Sequence, residues 1–369
     1  KLRSLSTRPT AEDVPLATEP FKVTIIGSGN WGTTAAKLVA ENTRTSDHFV
    51  TQVNMWVYEE QIEGRNLTEI INTEHENVKY LPGIKIPDNV VAEPDLATAC
   101  KGSHILVFVV PHQFLHNLLP VIKKAMDPNA FAISLIKGID FDENGMVLLS
   151  DIIRKNLEID VSVLMGANIA NEIAKEDFAE ATIGGSVRYG QTLKNLLQRP
   201  YFRVATVDNA DAVELCGALK NVVALGAGFC DGLGWGNNTK AAVIRIGLIE
   251  MGRVIELKTK RFPLEILIES CGAADLITTC YGGRNRKCAE AFVKTGESWD
   301  KIEKELLNGQ KLQGTGTCEE LHHVLTSAGA NMDKDYPLFR NIYQIAFQGA
   351  DPKSLVDGLV AAEKLIDGE

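Results

Sequence analysis

The chain has 369 residues, of which 45% are hydrophobic and 23% are charged, proportions typical of globular proteins and not of disordered or fibrous ones. Its formal net charge of −10 at pH 7 argues against a nucleic-acid partner, which requires a basic surface. The apolar runs at 105–111 and 130–136 are far shorter than the roughly 18–20 residues that span a bilayer. Neither nucleic acid nor a membrane is therefore predicted as a partner, while a few cations in a cleft could still bind a small anion.

The cysteines indicate a reducing compartment. There are seven of them, irregularly spaced and with no CxxC pair, so neither a disulfide framework nor a zinc site is expected. No cluster of His, Asp or Glu has the spacing of a metal site either. Residues 1–8 are basic and rich in hydroxyls, as in a transit peptide, but Glu12 and Asp13 follow closely, which favours a disordered tail over a targeting signal. We expect a cytoplasmic protein.

The first half of the chain alternates short β-branched or apolar runs with helical patterns. The runs predict strands at 22–26, 53–58, 105–110, 131–136, 161–165 and 202–207. Such alternation is typical of an α/β fold with a Rossmann-type, doubly wound and mostly parallel sheet.

After about residue 208 the pattern changes to long helical segments without a convincing strand. The helices are predicted at 212–228, 240–257, 286–294, 299–307 and 318–328. The expected organisation is a disordered tail (1–20), a dinucleotide-binding domain (21–207) and an α-helical substrate domain (208–369).

A glycine-rich turn follows the first strand and opens a helix. Its residues are Gly27, Ser28, Gly29, Asn30, Trp31 and Gly32. Gly27 permits a tight turn, Gly29 lets the backbone approach a pyrophosphate, and Gly32 lets the helix pack closely on the sheet. The helix N-terminus adds N–H donors and a partial positive charge. The alternative is an ordinary glycine turn, but the position at the first strand–helix junction predicts a nicotinamide dinucleotide site and a soluble oxidoreductase.

The residues that discriminate NAD from NADP are expected at the end of the second strand, where Glu59 and Glu60 follow Tyr58. A carboxylate at this point accepts hydrogen bonds from a ribose hydroxyl and repels a 2′-phosphate, which favours NAD over NADP. Glu59 lies further from Gly32 than the usual ~20 residues, a difference that we expect a loop at 42–51 to absorb. Either acid could instead be a solvated surface charge.

Three other strands lead into unusual loops at the same sheet edge, where ligands of such sheets bind. These loops lie at 111–114, 137–138 and 166–170. Lys137 directly follows a buried strand, a position that suits a chemical role. The alternative is a loop lysine that faces solvent.

Lys220 lies within 215–226, a helical segment that is apolar on nearly every side. A buried lysine is costly unless it is paired or bound to a substrate. Burial and a second cation nearby would lower its pKa from ~10.4 towards 7–8, where it could transfer a proton. The alternative is a lysine whose ammonium extends to the surface.

Two glycines followed by Arg284 and Asn285 at the start of a helix suggest an anion site, because N–H donors and a guanidinium converge there. The hydroxyls of Thr278 and Thr279 could complete it. The alternative is a structural glycine turn.

Seven motifs occur in order: GSGNWGTT, VPHQF, LIKG, GANIA, GALKNVVALG, ADLITTCYGGRN and LLNGQKLQG. With them the chain resembles the eukaryotic NAD-dependent glycerol-3-phosphate dehydrogenases from about residue 21 to its last helices. The resemblance implies interconversion of dihydroxyacetone phosphate and sn-glycerol 3-phosphate with NAD as cofactor, and a homodimer.

The resemblance also implies roles for single residues. Lys220 is the general acid and base, Lys137 holds and polarises the substrate, and Asp275 is a partner for a lysine ammonium. The substrate site further comprises Asn221, Thr279, Arg284 and Asn285. The cofactor contacts are Gly27 to Gly32, Phe114, Ala170, Arg284, Lys311 and Gln313.

Two loops are expected to be mobile. The glycine-rich segment 231–236 is a candidate for closing over a ligand, and Gly316, an extra glycine after the last motif, could loosen the loop that carries Lys311 and Gln313. Two other functions stay open: a related dehydrogenase for another hydroxyacid or sugar phosphate, and a non-catalytic NAD(H)-sensing protein of the same fold.

Overall fold

The computed structural model describes residues 19–142 and 145–359. The predicted tail (1–20) lies outside these residues except for positions 19 and 20, as do the last ten residues of the predicted helical domain.

Twelve strands occur in the described residues. They are β1 Phe21–Ile26, β2 Phe49–Trp56, β3 Gln61–Ile62, β4 Arg65–Asn66, β5 Val90–Glu93, β6 Ile105–Phe108, β7 Phe131–Ser134, β8 Asp140–Asp142, β9 Gly145–Val147, β10 Val161–Met165, β11 Ala179–Gly184 and β12 Phe202–Val207.

The α-helices fall into two sets, one before and one after β12. Those before it are α1 Asn30–Thr43, α2 Leu67–Glu74, α3 Leu96–Cys100, α4 Leu115–Ala125, α5 Leu149–Leu157, α6 Ala170–Ala174 and α7 Val187–Leu197. Those after it are α8 Ala210–Gly232, α9 Asn237–Thr259, α10 Leu264–Leu267, α11 Asp275–Gly282, α12 Arg284–Thr295, α13 Trp299–Leu307, α14 Gln313–Ser327, α15 Met332–Asp335 and α16 Pro337–Phe347.

One eight-stranded sheet organises the first half, in the order β12-β11-β10-β7-β6-β1-β2-β5. All its neighbours are parallel except β10 and β11. Ile26 is level with Trp56 on one side and with Phe108 on the other, so the turns after these strands meet at one edge. The predicted fold class, a mostly parallel Rossmann-type sheet followed by a helical second half, is confirmed.

Some local predictions were wrong. The second strand spans Phe49–Trp56 and not 53–58, and the connection before it is shorter than 42–51 because α1 continues to Thr43. The strands Val90–Glu93 and Ala179–Gly184 were missed. Both are short and contain glutamate, so neither shows an extended apolar run, and their pairing with neighbouring strands stabilises them instead.

Helix α8 is the core of the second half. It is apolar on all sides because nearly all of it is buried. Although its length and composition would suit a membrane span, the fold surrounds it completely. A Cβ at Gly228 would lie only 2.3 Å from the carbonyl oxygen of Arg286, so this glycine allows α12 to pack directly on α8.

Two buried carboxylates stabilise the starts of other helices. Glu250 of α9 accepts backbone hydrogen bonds from Leu338 and Phe339, each at 2.8 Å, and so caps α16. Glu214 of α8 accepts a backbone hydrogen bond from Ser150 of α5 at 3.2 Å. Burial raises the pKa of Glu250 to about 8 and that of Glu214 to about 7, because a buried carboxylate loses its hydration.

We expect Glu250→Ala to lower the free energy of unfolding by about 2–4 kcal/mol, because two buried N–H groups lose their acceptor. Glu250→Gln retains one acceptor and should cost less. Urea denaturation measures both losses, and equal stability of Glu250→Ala and the wild type would contradict the capping role.

The same carboxylate predicts a pH dependence. Its pKa is about 8 in the folded state against an ordinary 4.5, so the folded state binds this proton more tightly. The resulting contribution to stability is complete below the unfolded pKa and is lost as the pH rises through the folded pKa. Between about pH 5 and 9 the wild type should therefore lose more stability than Glu250→Gln, which cannot titrate there.

Candidate active site

A cleft of about 1520 Å³ lies between the edge of the sheet and the helical half. Its lining combines the turns at 27–29, 109–114 and 135–141 with the segment 310–313. Pockets for small ligands commonly measure ~300–1,000 Å³, so this cleft can hold a dinucleotide together with a small substrate.

The glycine turn has the backbone that a dinucleotide requires. Gly27 has φ +116°, in a region that side chains disfavour. A Cβ at Gly32 would lie 2.2 Å from the carbonyl oxygen of Gly27, whereas one at Gly29 would meet no described atom within 4 Å. Among the described residues no side chain caps α1 at Gly29, so the N–H groups of its first turn are available. The turn therefore fits the pyrophosphate of NAD.

Two residues that the sequence did not single out hold this turn. Asn77 is fully buried, and its Nδ2 donates to the carbonyl oxygen of Ser28 and to Oγ1 of Thr33, each at 2.9 Å. The Nδ2 of Asn30 donates to the carbonyl oxygen of Tyr80 at 2.7 Å. No local pattern identifies Asn77 or Tyr80, because both act on residues about fifty positions away.

Four predicted cofactor contacts are not among the described residues that line the cleft: Asn30, Trp31, Gly32 and Ala170. Trp31 packs edge-to-face on Phe202, with ring centroids 6.3 Å apart. The carbonyl oxygen of Ala170 accepts a hydrogen bond from Oγ1 of Thr34 at 3.3 Å. Phe114, in contrast, lines the cleft and is half exposed.

Glu59 does not have the predicted position. Its carboxylate accepts hydrogen bonds from the backbone N–H of Thr68 at 3.2 Å and from its hydroxyl at 2.5 Å, and so caps α2. Glu60 lines the cleft, and Glu59 does not. The loop before β2 that was expected to bring Glu59 to a ribose is also shorter than predicted.

Lys220 and Asp275 form a buried ion pair under the floor of the cleft. Their residues are 4% and 2% exposed, respectively, and Nζ of Lys220 contacts Oδ1 of Asp275. Nζ of Lys137, which reaches in from the sheet edge, lies 3.5 Å from Oδ2 of the same carboxylate. Two ammonium groups thus share one carboxylate, and of these three residues only Lys137 lines the cleft.

This arrangement lowers the pKa of Lys220 to about 7. Burial is the largest cause, followed by the charge of Lys137, and together they outweigh the opposing effect of Asp275. A lysine with a pKa near neutrality can both donate and accept a proton.

Asp275 is positioned by a π-helical turn, Ser270–Ala274, that runs directly into α11. Oγ of Ser270 donates to the carbonyl oxygen of Glu180 at 2.6 Å, and the N–H of Cys271 donates to Oγ1 of Thr182 at 3.3 Å. These bonds attach the turn to β11. Single π-turns inside helices are frequent at functional sites, but nothing in the sequence indicated this one.

The predicted anion site lies at the start of α12. Arg284 lines the cleft and donates to the side chain of Gln310 at 3.0 Å. Nδ2 of Asn285 donates to Oδ1 of Asn221 at 3.0 Å, and Oδ1 of Asn285 accepts from the N–H of Gly314 at 2.9 Å. The hydroxyl of Thr279 donates to the carbonyl oxygen of Asp275 at 2.6 Å.

Lys311 and Gln313 both line the cleft from the helical side. Nζ of Lys311 contacts Asp300 at 2.6 Å and Glu303 at 2.9 Å. Nε2 of Gln313 donates to the carbonyl oxygen of Lys137 at 3.0 Å, which links the two walls of the cleft.

The two segments that were expected to be mobile lie at the ends of helices. Gly316 lies in the first turn of α14 and not in a loop. The segment 231–236 is anchored where it begins, because Asp231 binds Lys240 at 2.7 Å and Arg286 at 3.2 Å.

Comparisons with known proteins decide the family. The model for the N-terminus of NAD-dependent glycerol-3-phosphate dehydrogenase matches residues 22–189, and the model for its C-terminus matches residues 209–357. The chain belongs to this family. The resemblance inferred from the seven motifs is confirmed, and this dehydrogenase is an oxidoreductase that uses NAD.

Individual relatives agree with this conclusion. Glycerol-3-phosphate dehydrogenase 1-like protein of Xenopus tropicalis is 56% identical over 343 residues, covering 92% of this chain and 97% of the relative. The cytoplasmic NAD(+) glycerol-3-phosphate dehydrogenase of Rattus norvegicus is 57% identical over 330 residues, covering 89% and 94%. The solved glycerol-3-phosphate dehydrogenase of Plasmodium falciparum superposes with a TM-score of 0.88 at 41% identity, covering 93% and 96%.

The ion pair of this dehydrogenase predicts a stability effect. Asp275→Asn leaves the buried Lys220 without its counter-charge, and we expect it to lower the free energy of unfolding by about 3–5 kcal/mol. The double variant Asp275→Asn, Lys220→Met removes the unpaired charge as well and should recover part of the loss. Denaturant unfolding at pH 6, where Lys220 of the wild type is mostly charged, tests this, and a double variant less stable than Asp275→Asn would contradict it.

Proposed function

We propose that this dehydrogenase reversibly reduces dihydroxyacetone phosphate to sn-glycerol 3-phosphate, with Lys220 as the proton donor and acceptor. The observation that carries the proposal is the buried Lys220–Asp275 pair beside Lys137, with Arg284 lining the same cleft as Lys137. NADH supplies the hydride, and the protein must supply a proton and a site that holds the phosphate.

Lys220 is suited to the proton transfer. As the ketone carbon is reduced, negative charge develops on its oxygen, and a nearby ammonium group can neutralise that charge by giving up a proton. A pKa of about 7 allows Lys220 to do this and, in the reverse direction, to take the proton from the alcohol. Lys137 keeps a second positive charge near the same oxygen.

Asp275 favours the protonated form of Lys220, which is the form that can donate a proton. Without the carboxylate, burial and Lys137 would favour a neutral Lys220, which has no proton to donate. The ion pair also fixes Nζ in one place, so that the proton leaves from a defined position.

The start of α12 is suited to the phosphate. Arg284 can offer paired N–H donors, and the first N–H groups of the helix carry a partial positive charge. Asn285 and Asn221 connect this site to the helix that carries Lys220. Binding energy from the phosphate can therefore orient a carbonyl that lies some distance away.

The remaining proposed roles concern the cofactor and the cell. Gly27 to Gly32, Phe114, Ala170, Lys311 and Gln313 are proposed to surround NAD, with the backbone of the turn on its pyrophosphate. We place the protein in the cytoplasm, as the name of the rat relative states for that protein, and we expect a homodimer.

Lys220→Ala should lower kcat for dihydroxyacetone phosphate reduction by about 10²–10⁴-fold, the usual contribution of a general acid. NADH should still bind, because Lys220 lies beneath the lining of the cleft. Lys155→Ala, which removes an exposed lysine of α5, is the control and should retain full activity. Steady-state oxidation of NADH gives kcat, and NADH fluorescence gives binding.

Retained turnover in Lys220→Ala would remove this lysine from the chemistry. A wild type that binds NADH but reduces neither this ketone nor related substrates would favour an NAD(H)-sensing protein. Activity restricted to another hydroxyacid or sugar phosphate would favour a related dehydrogenase.

The lowered pKa of Lys220 also predicts opposite pH profiles. Reduction requires the ammonium form, so kcat/KM for dihydroxyacetone phosphate should fall as the pH rises through about 7. Oxidation requires the neutral amine, so kcat/KM for glycerol 3-phosphate should rise over the same range. In Asp275→Asn the midpoint of any residual activity should move to lower pH, because the carboxylate no longer stabilises the ammonium. Profiles with the same sign in both directions would contradict the assignment.

A further inference from the structure

Glu60 lies in the part of the cleft beyond the end of β2. It lines the cleft together with Trp56, Tyr58 and Tyr80. Its side chain is 24% exposed, so the carboxylate is accessible from the cleft without being a freely solvated surface charge.

The carboxylate of Glu60 is held from two sides. The hydroxyl of Tyr80 donates to Oε1 at 2.6 Å, and Nζ of Lys79 contacts Oε2. Both contacts lower the pKa of Glu60, which is therefore ionised at neutral pH. Burial and the contact with Glu60 raise the pKa of Tyr80, so its hydroxyl retains the proton that it donates.

Glu60 is also fixed relative to the dinucleotide turn. The carbonyl oxygen of Tyr80 accepts a hydrogen bond from Asn30, the first residue of α1, at 2.7 Å. The chain Asn30–Tyr80–Glu60 thus ties the carboxylate to the turn that fits the pyrophosphate. In a sheet of this type, the adenosine ribose of a bound dinucleotide lies beside the end of the second strand.

We propose that Glu60 selects NAD(H) over NADP(H) in this enzyme, by accepting hydrogen bonds from the ribose hydroxyls and repelling a 2′-phosphate. A carboxylate has about four lone-pair sites for hydrogen bonds, and Tyr80 and Lys79 use only two of them. The inference rests on the use of NADH in the proposed function.

Its neighbour Glu59 does not have this role, because both of its oxygens bind Thr68 at the start of α2. The two adjacent acids therefore have different roles: Glu59 stabilises the start of α2, and Glu60 lines the cleft. Glu59→Gln is accordingly a matched control, since it removes the same charge one residue away.

Lys79 limits the strength of the discrimination. Its ammonium neutralises part of the charge of Glu60, and we expect it to attract a 2′-phosphate if the carboxylate were absent. Removing Glu60 should thus expose a cation as well as remove an anion, whereas removing Lys79 should leave the repulsion uncompensated.

The test is a fluorescence titration of the full chain with NADH and with NADPH, which measures binding without turnover. The quantity compared is the ratio of the Kd for NADPH to the Kd for NADH. We expect Glu60→Gln to lower this ratio about tenfold or more, the equivalent of about 1.4 kcal/mol. Lys79→Met should raise the ratio. In the double variant Glu60→Gln, Lys79→Met, the ratio should fall much less than in Glu60→Gln alone. Glu59→Gln should leave the ratio as in the wild type.

An unchanged ratio in folded Glu60→Gln, or an equal drop in Glu59→Gln, would overturn the proposal. Lys79 is partly exposed, so Lys79→Met is expected to fold even if Glu60→Gln does not, and an unchanged ratio there would also count against it. Failure of the proposed function gives a different result: the wild type would prefer NADH in this titration yet reduce no dihydroxyacetone phosphate.

Discussion

An ammonium group and a carboxylate, those of Lys220 and Asp275, lie together in a core where either charge alone would cost several kcal/mol. The pair joins α8 to α11, and Lys137 extends it to the edge of the sheet. A hydrophobic replacement would make a core of this kind as stable or more stable. In the proposed reaction, what the ion pair adds is a proton that can leave near neutral pH, because burial and the charge of Lys137 lower the pKa of Lys220.

Two features of the backbone place Asp275 and the start of α12 beside α8. The π-turn at Ser270–Ala274 leads directly into Asp275, and its bonds to β11 hold that turn in place. Gly228 lets α12 pack directly on α8, so the anion site begins beside the helix that carries the lysine. Both features act at a distance from the reacting groups, through the helices that carry them.

The parts of this arrangement that depend on local sequence could be predicted, and the parts that depend on tertiary contacts could not. A strand, a glycine turn and a helix follow one another within 21–43, and a lysine in an apolar helix is visible in any reading of 215–226. Asn77 supports the turn from some fifty residues away. The sequence could not show which of Glu59 and Glu60 would face the cleft, because the two adjacent acids differ only in whether Thr68 or the cleft lies nearby.

The proposed proton donor and the proposed phosphate site both lie in the helical half, whereas the glycine turn lies at the edge of the sheet. Asn221 follows Lys220 on α8 and binds Asn285, which follows Arg284 on α12, so the separation of lysine and guanidinium is set by packing within the helical half. A substrate that meets both must have its phosphate and its carbonyl at a matching separation, which in the proposed reaction selects for chain length. The proposed cofactor contacts come from both halves, and Gln313, bonded to the backbone of Lys137, connects the two. In the proposed reaction, alignment of the hydride donor with the carbonyl therefore depends on the relative position of the two halves, whereas the separation of Lys220 and Arg284 is set within the helical half alone.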